Sequence, residues 1–357
     1  MRARRLAIGA AAAALALAGG LTFVLTRAVT AQRPADEVAP RFQVDPGWPK
    51  PLPRGWVMGQ AAGVAVDRRG HVWVIQRPRT LTAGAPAPPV LEFDADGTLL
   101  RSWGGAGAGY DWPLTEHGIF VDHEDNVWIG GSDQRDHQVL KFTADGKFLL
   151  QIGKTGVTGG DSDTAHLGRP ANVSVDPATN ELFVADGYKN HRVIVFDART
   201  GAYKRHWGAN GRRPGAWFVK PFNNPVHCVR LARDGLLYVC DRTNNRIQVF
   251  KKDGTFVKEL VVAGVTRGGG SAWDVEVSHD GPQTWLYDAD GENDHVWMLV
   301  RDDGRVVGQL GRNGRQPGEF RSVHNLAVDS KGNLYTTEVG QGKRAQKFVF
   351  KGVGQGG

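Results

Sequence analysis

The sequence predicts an all-β fold, a six-bladed β-propeller with four antiparallel strands in each blade. Three observations predict it. First, one pattern recurs six times: GVAVDRRGHVWV from Gly63, GIFVDHEDNVWI from Gly118, NVSVDPATNELFV from Asn172, CVRLARDGLLYV from Cys228, DVEVSHDGPQTWLY from Asp274 and NLAVDSKGNLYT from Asn325. Each is two short apolar runs joined by a turn, which is a hairpin signature. Second, every copy is followed by an apolar third run (VLEFD, VLKFT, VIVFD, IQVFK, VWMLV, QKFVF), and the first five by a fourth (LLRSWG, FLLQIG, YKRHWG, FVKELV, VVGQLG). A repeat of roughly 45 to 55 residues suits a four-stranded blade. Third, the sixth copy stops at Phe350 with three strands. A ring must hide its edges, and the segment Arg41-Phe42-Gln43-Val44 ahead of blade one is the candidate to complete it. An irregular β-sandwich would not repeat so regularly.

Residues 1–31 read as a targeting segment. Arg2, Arg4 and Arg5 form a basic start, Leu6 to Leu25 is almost wholly apolar, and Val29-Thr30-Ala31 supplies small residues before a cleavage point. The sequence therefore expects export to a periplasmic or secreted location, with membrane anchoring only if the leader stays uncleaved. Residues 32–58 read as a proline-rich linker that includes the closing strand, and residues 59–351 as one propeller domain, expected to be a monomer. The 48 glycines and 18 prolines fit many tight turns.

The formal net charge of +7 overstates the basicity, because the leader holds four arginines and no acid; without them the chain stands at +3. No Lys/Arg run remains to serve nucleic-acid binding. Cys228 and Cys240 are the two cysteines. They lie on the two strands of one hairpin, and a three-residue turn would set them face to face. In an oxidising compartment that arrangement favours a disulfide over two buried thiols.

The chemistry is carried by one register of the repeat. Two residues before the first apolar position of each inner strand (Val64, Ile119, Val173, Val229, Val275, Leu326) stand Ala62, His117, Ala171, His227, Trp273 and His324. Histidine thus occupies the same place in alternate blades, about 120° apart around a six-fold ring whose inner strands line the channel. A lone histidine at a strand start is usually a turn or core residue. Three at one register converge on the axis as a tris-imidazole set that leaves zinc an open fourth position.

With these residues set out, the chain resembles an NHL-repeat propeller and, within that group, the peptidyl-α-hydroxyglycine α-amidating lyases. The resemblance runs from about Gly59 to Phe350, on VIQR ending at Arg77, HGIFVD from His117, VADGYKNHRV from Val184, NPVHCV with CDRTNNRIQVF, and VHNLAVDSKGNLY from Val323. It implies zinc on His117, His227 and His324, the trio that the repeat alignment gives independently. It also implies an active-site arginine at Arg77 and tyrosine at Tyr188. A calcium ion is implied deeper in the channel, on the carbonyls of Val64 and Ile119. Asn325 stands where the family has an aspartate, and calcium affinity follows ligand charge, so calcium is expected to bind weakly. Ser322 replaces a family methionine, and the family's disulfides are not matched.

The implied substrate is a small molecule or peptide C-terminus bearing an N-acyl-α-hydroxyglycine, cleaved to an amide and glyoxylate. Zinc would act as Lewis acid on the hydroxyl, Tyr188 beside a cation as base, and Arg77 on the carboxylate or developing charge. Two other classes compete: a metal-dependent hydrolase or lactonase in the same pocket, and a non-enzymatic binding module, which would not need three channel histidines. Asp186, Arg192, Asp241 and Arg246 recur in matching turns and are expected to be structural.

Overall fold

The computed structural model describes residues 38–212 and 220–355. The leader at 1–31 lies outside the described residues. Among those described, no helix is long and apolar enough to cross a membrane; the helical elements present are single 3₁₀ turns.

Six four-stranded antiparallel sheets form the blades of a β-propeller. The inner strands are Gln60–Val66, Glu116–Val121, Pro170–Asp176, Val226–Leu231, Asp274–Val277 and Val323–Val328. In the sixth blade the third strand, Arg344–Gln355, pairs with Val38–Asp45, setting Phe42 opposite Phe350 and Val44 opposite Phe348. The N-terminal segment therefore closes the ring, as the missing fourth strand required. The Phe42 ring lies against Tyr287 of blade five at 5.6 Å and Phe350 at 5.7 Å, so this strand ties the last blade to its neighbour.

The first hairpin turn of several blades is built by an aspartate. Asp67, Asp122 and Asp329 each accept two backbone N–H bonds from the turn that follows. Each also accepts from an aromatic side chain on the adjacent second strand: Trp73, Trp128 and Tyr335. This explains the recurring Val-Asp and Val-Trp or Leu-Tyr in the repeat. The apolar side chains of strands alternate toward the two neighbouring blades, so six core clusters form, one at each blade interface, with a small seventh of Ala62, Trp273 and Val339. Cys228 faces Cys240 across its hairpin, and the two form a disulfide buried between blades four and five.

Candidate metal centre

A break in strand register positions the histidines. In five blades the pairing of the inner strand with the second strand slips between Ala61 and Gly63, Glu116 and Ile119, Pro170 and Asn172, Val226 and Cys228, and Val323 and Asn325. The skipped residues are Ala62, His117 with Gly118, Ala171, His227 and His324. A bulged residue leaves the ladder, and its side chain is re-aimed. Here the bulge turns the side chain toward the axis and frees the backbone carbonyl beside it.

Both consequences are used. His117 Nδ1 donates to the carbonyl of Ala171 at 2.8 Å, His324 Nδ1 to that of Ala62 at 2.6 Å, and His227 Nδ1 to that of Trp273. Histidines of blades two, four and six are thus held by the residues at the same register of blades three, five and one. Each bond fixes the tautomer and leaves Nε2 a lone-pair donor, the outer-shell arrangement that metal-binding imidazoles adopt. The three rings stand 4.7–5.0 Å apart, and their ligand atoms lie within 4.8 Å of one another. All three residues are at most 2% exposed. Burial drives their pKa values well below the ordinary imidazole range; nearby positive charge from Arg77 and Arg242, and imidazole neighbours, push the same way. Three neutral imidazoles therefore aim lone pairs at one point.

Tyr188 lies over this point. Its hydroxyl is 2.9 Å from His117 Nε2 and 3.0 Å from His227 Nε2. One hydroxyl proton cannot satisfy two acceptor nitrogens, and His324 Nε2 adds a third lone pair. A cation fits this donor set, and three imidazoles with an open side suit zinc. The Tyr188 turn is locked by Asp186, which accepts from Gly168 N, Asn190 Nδ2 and Arg192 Nε. Asp241 anchors the corresponding blade-four turn through Asn223 N, Asn244 Nδ2 and Arg246 Nε. These four turn residues are structural, as expected.

Arg77 ends the second strand of blade one, Val72–Arg77. Its Nε donates to the Glu116 carbonyl at 2.7 Å, next to His117, and one terminal nitrogen donates to Gln60 Oε1 at 2.9 Å. Burial pulls its pKa down, opposed by Tyr188 and Glu116. The five residues expected at the site, His117, His227, His324, Arg77 and Tyr188, thus gather at one end of the channel.

Arg242 was not anticipated. It lies flat on Trp273 at 3.8 Å, donates through Nε to the Gly269 carbonyl at 2.7 Å and reaches the Tyr188 hydroxyl at 3.4 Å. A third guanidinium, Arg169, lies 5.3 Å over the Tyr188 ring and is held by the Ser132 carbonyl. Aligning second strands would have found Arg242. Gln76-Arg77 and Cys240-Asp241-Arg242 end at the same repeat position, three blades apart, so the two arginines face each other across a six-fold ring. The contacts named for Arg77, Arg242 and Arg169 are to carbonyls, an amide, a hydroxyl and rings. None of these named contacts is to a carboxylate.

Asn325, expected near calcium, directs its amide oxygen to the Val64 N–H at 2.9 Å and its amide nitrogen to Asp274 Oδ2 at 2.6 Å. Val64 and Ile119 are buried on neighbouring inner strands.

Fold and site together define an NHL-type propeller with a tris-histidine channel. A family model described as the NHL repeat matches residues 167–196 and 222–250. NHL repeat-containing protein 3 of Mus musculus is 32% identical over 332 residues, covering 87% of this chain and 84% of that protein. The chain belongs to the NHL-repeat family. Peptidyl-alpha-hydroxyglycine alpha-amidating lyase 1 of Drosophila melanogaster is 30% identical over 327 residues, which is 83% of this chain and 58% of that protein. Among solved structures, a streptogramin B lyase shares the fold with a TM-score of 0.53 at 11% identity, covering 88% of this chain and 98% of that one.

Proposed function

We propose that the chain is a zinc-dependent lyase that cleaves N-acyl-α-hydroxyglycine-type carbinolamides to an amide and glyoxylate. The observation that carries the reading is the Tyr188 hydroxyl seated on two of three converging imidazole Nε2 atoms, between opposed arginines that present charge to a ligand. The likeness to the Drosophila amidating lyase supports it.

Zinc held by His117, His227 and His324 supplies a Lewis acid that makes a substrate hydroxyl more acidic. The protein's own groups do the rest. In its phenolate form Tyr188 accepts the hydroxyl proton and becomes the neutral phenol, the O–H electron pair closes the aldehyde C=O, and the C–N bond breaks with its electrons going to nitrogen. Tyr188 then returns the proton to that nitrogen, so atoms and charge balance without a further reagent. Arg77 and Arg242 hold the substrate carboxylate, which becomes that of glyoxylate; guanidinium suits planar two-oxygen recognition. The stacking of Arg242 on Trp273 restricts its side chain before the substrate arrives.

The test is glyoxylate release from α-hydroxyhippurate by the zinc-loaded chain. Tyr188→Phe is expected to lower the rate by about 10²–10⁴ with zinc still bound, and Arg77→Ala to cause a comparable loss. If zinc-loaded protein yields no glyoxylate but opens lactones or esters with the same dependence on the three histidines, the lyase assignment fails and a hydrolase takes its place. Export is part of this proposal; the buried disulfide and the apolar leader support it, and the N-terminal sequence of exported protein checks it.

A further inference from the structure

The residue directly after each channel histidine holds the bulge in place by a different means. Gly118 packs so closely on the Ala171 carbonyl of the next blade that a Cβ would collide with it. Asn325 bonds through its amide to the Val64 N–H and to Asp274. Cys228 is tied covalently to Cys240 on the facing strand. The cross-linked hairpin is also the one that brings site groups from both of its arms. His227 precedes Cys228 on the inner strand, and Arg242 follows Cys240 by two residues at the end of the second strand.

Both arms grip one residue of blade five. The Trp273 carbonyl accepts from His227 Nδ1, and the Trp273 indole carries the Arg242 guanidinium at 3.8 Å. The spacing of the arms therefore sets where imidazole and guanidinium stand relative to each other. Backbone pairing fixes that spacing poorly at this end. The register slips at His227, between the Val226–Asp241 and Cys228–Cys240 pairs, and a bulged residue is left out of the ladder. Beyond the slip, Arg242 N–H reaches the Pro225 carbonyl at 3.4 Å, past good N–H···O geometry. The disulfide closes the rung beside the bulge. Both cysteines are at most 1% exposed and share a core cluster with Ala272 and Val275, on either side of Trp273. Burial shields the sulfurs from attacking thiols, which makes the tie permanent rather than regulatory.

We propose that the Cys228–Cys240 disulfide is a positioning element of the site. It sets the separation of the two arms and, through Trp273, holds the His227 imidazole and the Arg242 guanidinium in one arrangement. The His227 half rests on the tris-histidine metal site and the Arg242 half on the lyase reading, so the two are measured separately. A disulfide with only a structural part would stabilise the fold and leave both measurements unmoved.

The experiment compares the full chain carrying Cys228→Ala with Cys240→Ala, the unmodified chain, and Phe42→Ala. Replacing both cysteines avoids a lone thiol that would itself bind metal. Loss of the cross-link is expected to lower the thermal midpoint by roughly 5–10 °C; Phe42→Ala lowers it from outside the site. Below all midpoints, zinc affinity from chelator competition is expected to fall about tenfold or more in the double variant and to hold in Phe42→Ala. The visible spectrum of cobalt bound in place of zinc is expected to change in the double variant alone. With zinc saturating, the KM for α-hydroxyhippurate is expected to rise about tenfold through Arg242, with kcat lowered less. Unchanged zinc affinity and cobalt spectrum in the double variant overturn the proposal, whatever the fall in midpoint; so does an equal loss of zinc affinity in Phe42→Ala. An unchanged KM strikes Arg242 from it. If the unmodified chain binds no zinc, the metal site and this inference fall together. If zinc weakens in the double variant and neither chain forms glyoxylate, the positioning of His227 stands and the lyase reading falls. Should the alanine pair fail to fold, Cys228→Val with Cys240→Ala, which refills the lost sulfur volume, decides by the same zinc and cobalt readouts.

Discussion

Gly118→Ala places one methyl group where the candidate metal centre is held together. A Cβ on Gly118 would approach the Ala171 carbonyl oxygen more closely than the 3.0 Å that real Cβ atoms respect, with Asn172 Cα at 3.1 Å behind it. The neighbour is backbone in an inner strand and cannot swing away as a side chain can. That carbonyl is also the acceptor of His117 Nδ1 at 2.8 Å. A displacement of several tenths of an ångström carries this bond past about 3.2 Å, the outer edge of good N–H···O geometry. Overpacking of this kind costs about 1–3 kcal/mol, which for a domain this large lowers the thermal midpoint by roughly 2–8 °C. Loss of an outer-shell partner weakens metal binding by about 10–100-fold. Zinc affinity would be measured by chelator competition, beside Gly281→Ala, where a methyl meets open space and both quantities should hold. A Gly118→Ala protein with unaltered zinc affinity and midpoint would refute the idea that inner-strand approach sets the imidazole tautomer.

Three further outcomes are expected. Replacing any one of His117, His227 or His324 by Ala should lower zinc content measured by elemental analysis, and full occupancy in all three variants would show the site to be misplaced. Metal-stripped protein should lose stability as pH falls below about 6.5, the unfolded imidazole value. The three buried imidazoles have depressed pKa values, so the unfolded chain binds more protons in that window and stability rises with pH, by up to about 4 kcal/mol per unit for three groups; a flat melting profile from pH 7.5 to 5.5 would show that they do not stay neutral. Phe42→Ala removes a half-buried ring from the closing strand and should cost about 2 kcal/mol in denaturant unfolding; no change would mean that the segment does not secure the ring.

Much of this molecule is legible in its sequence because a propeller is a repeat. Each blade is specified by short-range patterns: alternation in strands, turn aspartates and Asp-Gly or Asn-Gly pairs. Six copies make the fold and the order of strands a matter of counting. The same counting revealed the three histidines, since a repeat converts equal register into equal height on the channel wall. It also implied that Arg41 to Val44 closes the ring, because blade six lacked a strand.

What only the tertiary structure decided concerns contacts between blades, which no single repeat encodes. The bulges at Ala62, His117, Ala171, His227 and His324 show that the histidine register is a defect in the ladder rather than a regular strand position. The carbonyls of Ala62, Ala171 and Trp273, silent in any sequence, fix the imidazoles from the next blade. Arg242 gains its place through Trp273 and Gly269, residues of another blade and its loop. Asp274 meets Asn325 across 51 residues. Local pattern determines which strand forms; the packing of strands from different blades around one axis determines which polar groups share a buried space. Low-dielectric burial then makes those few groups chemically different from the same residues in a turn.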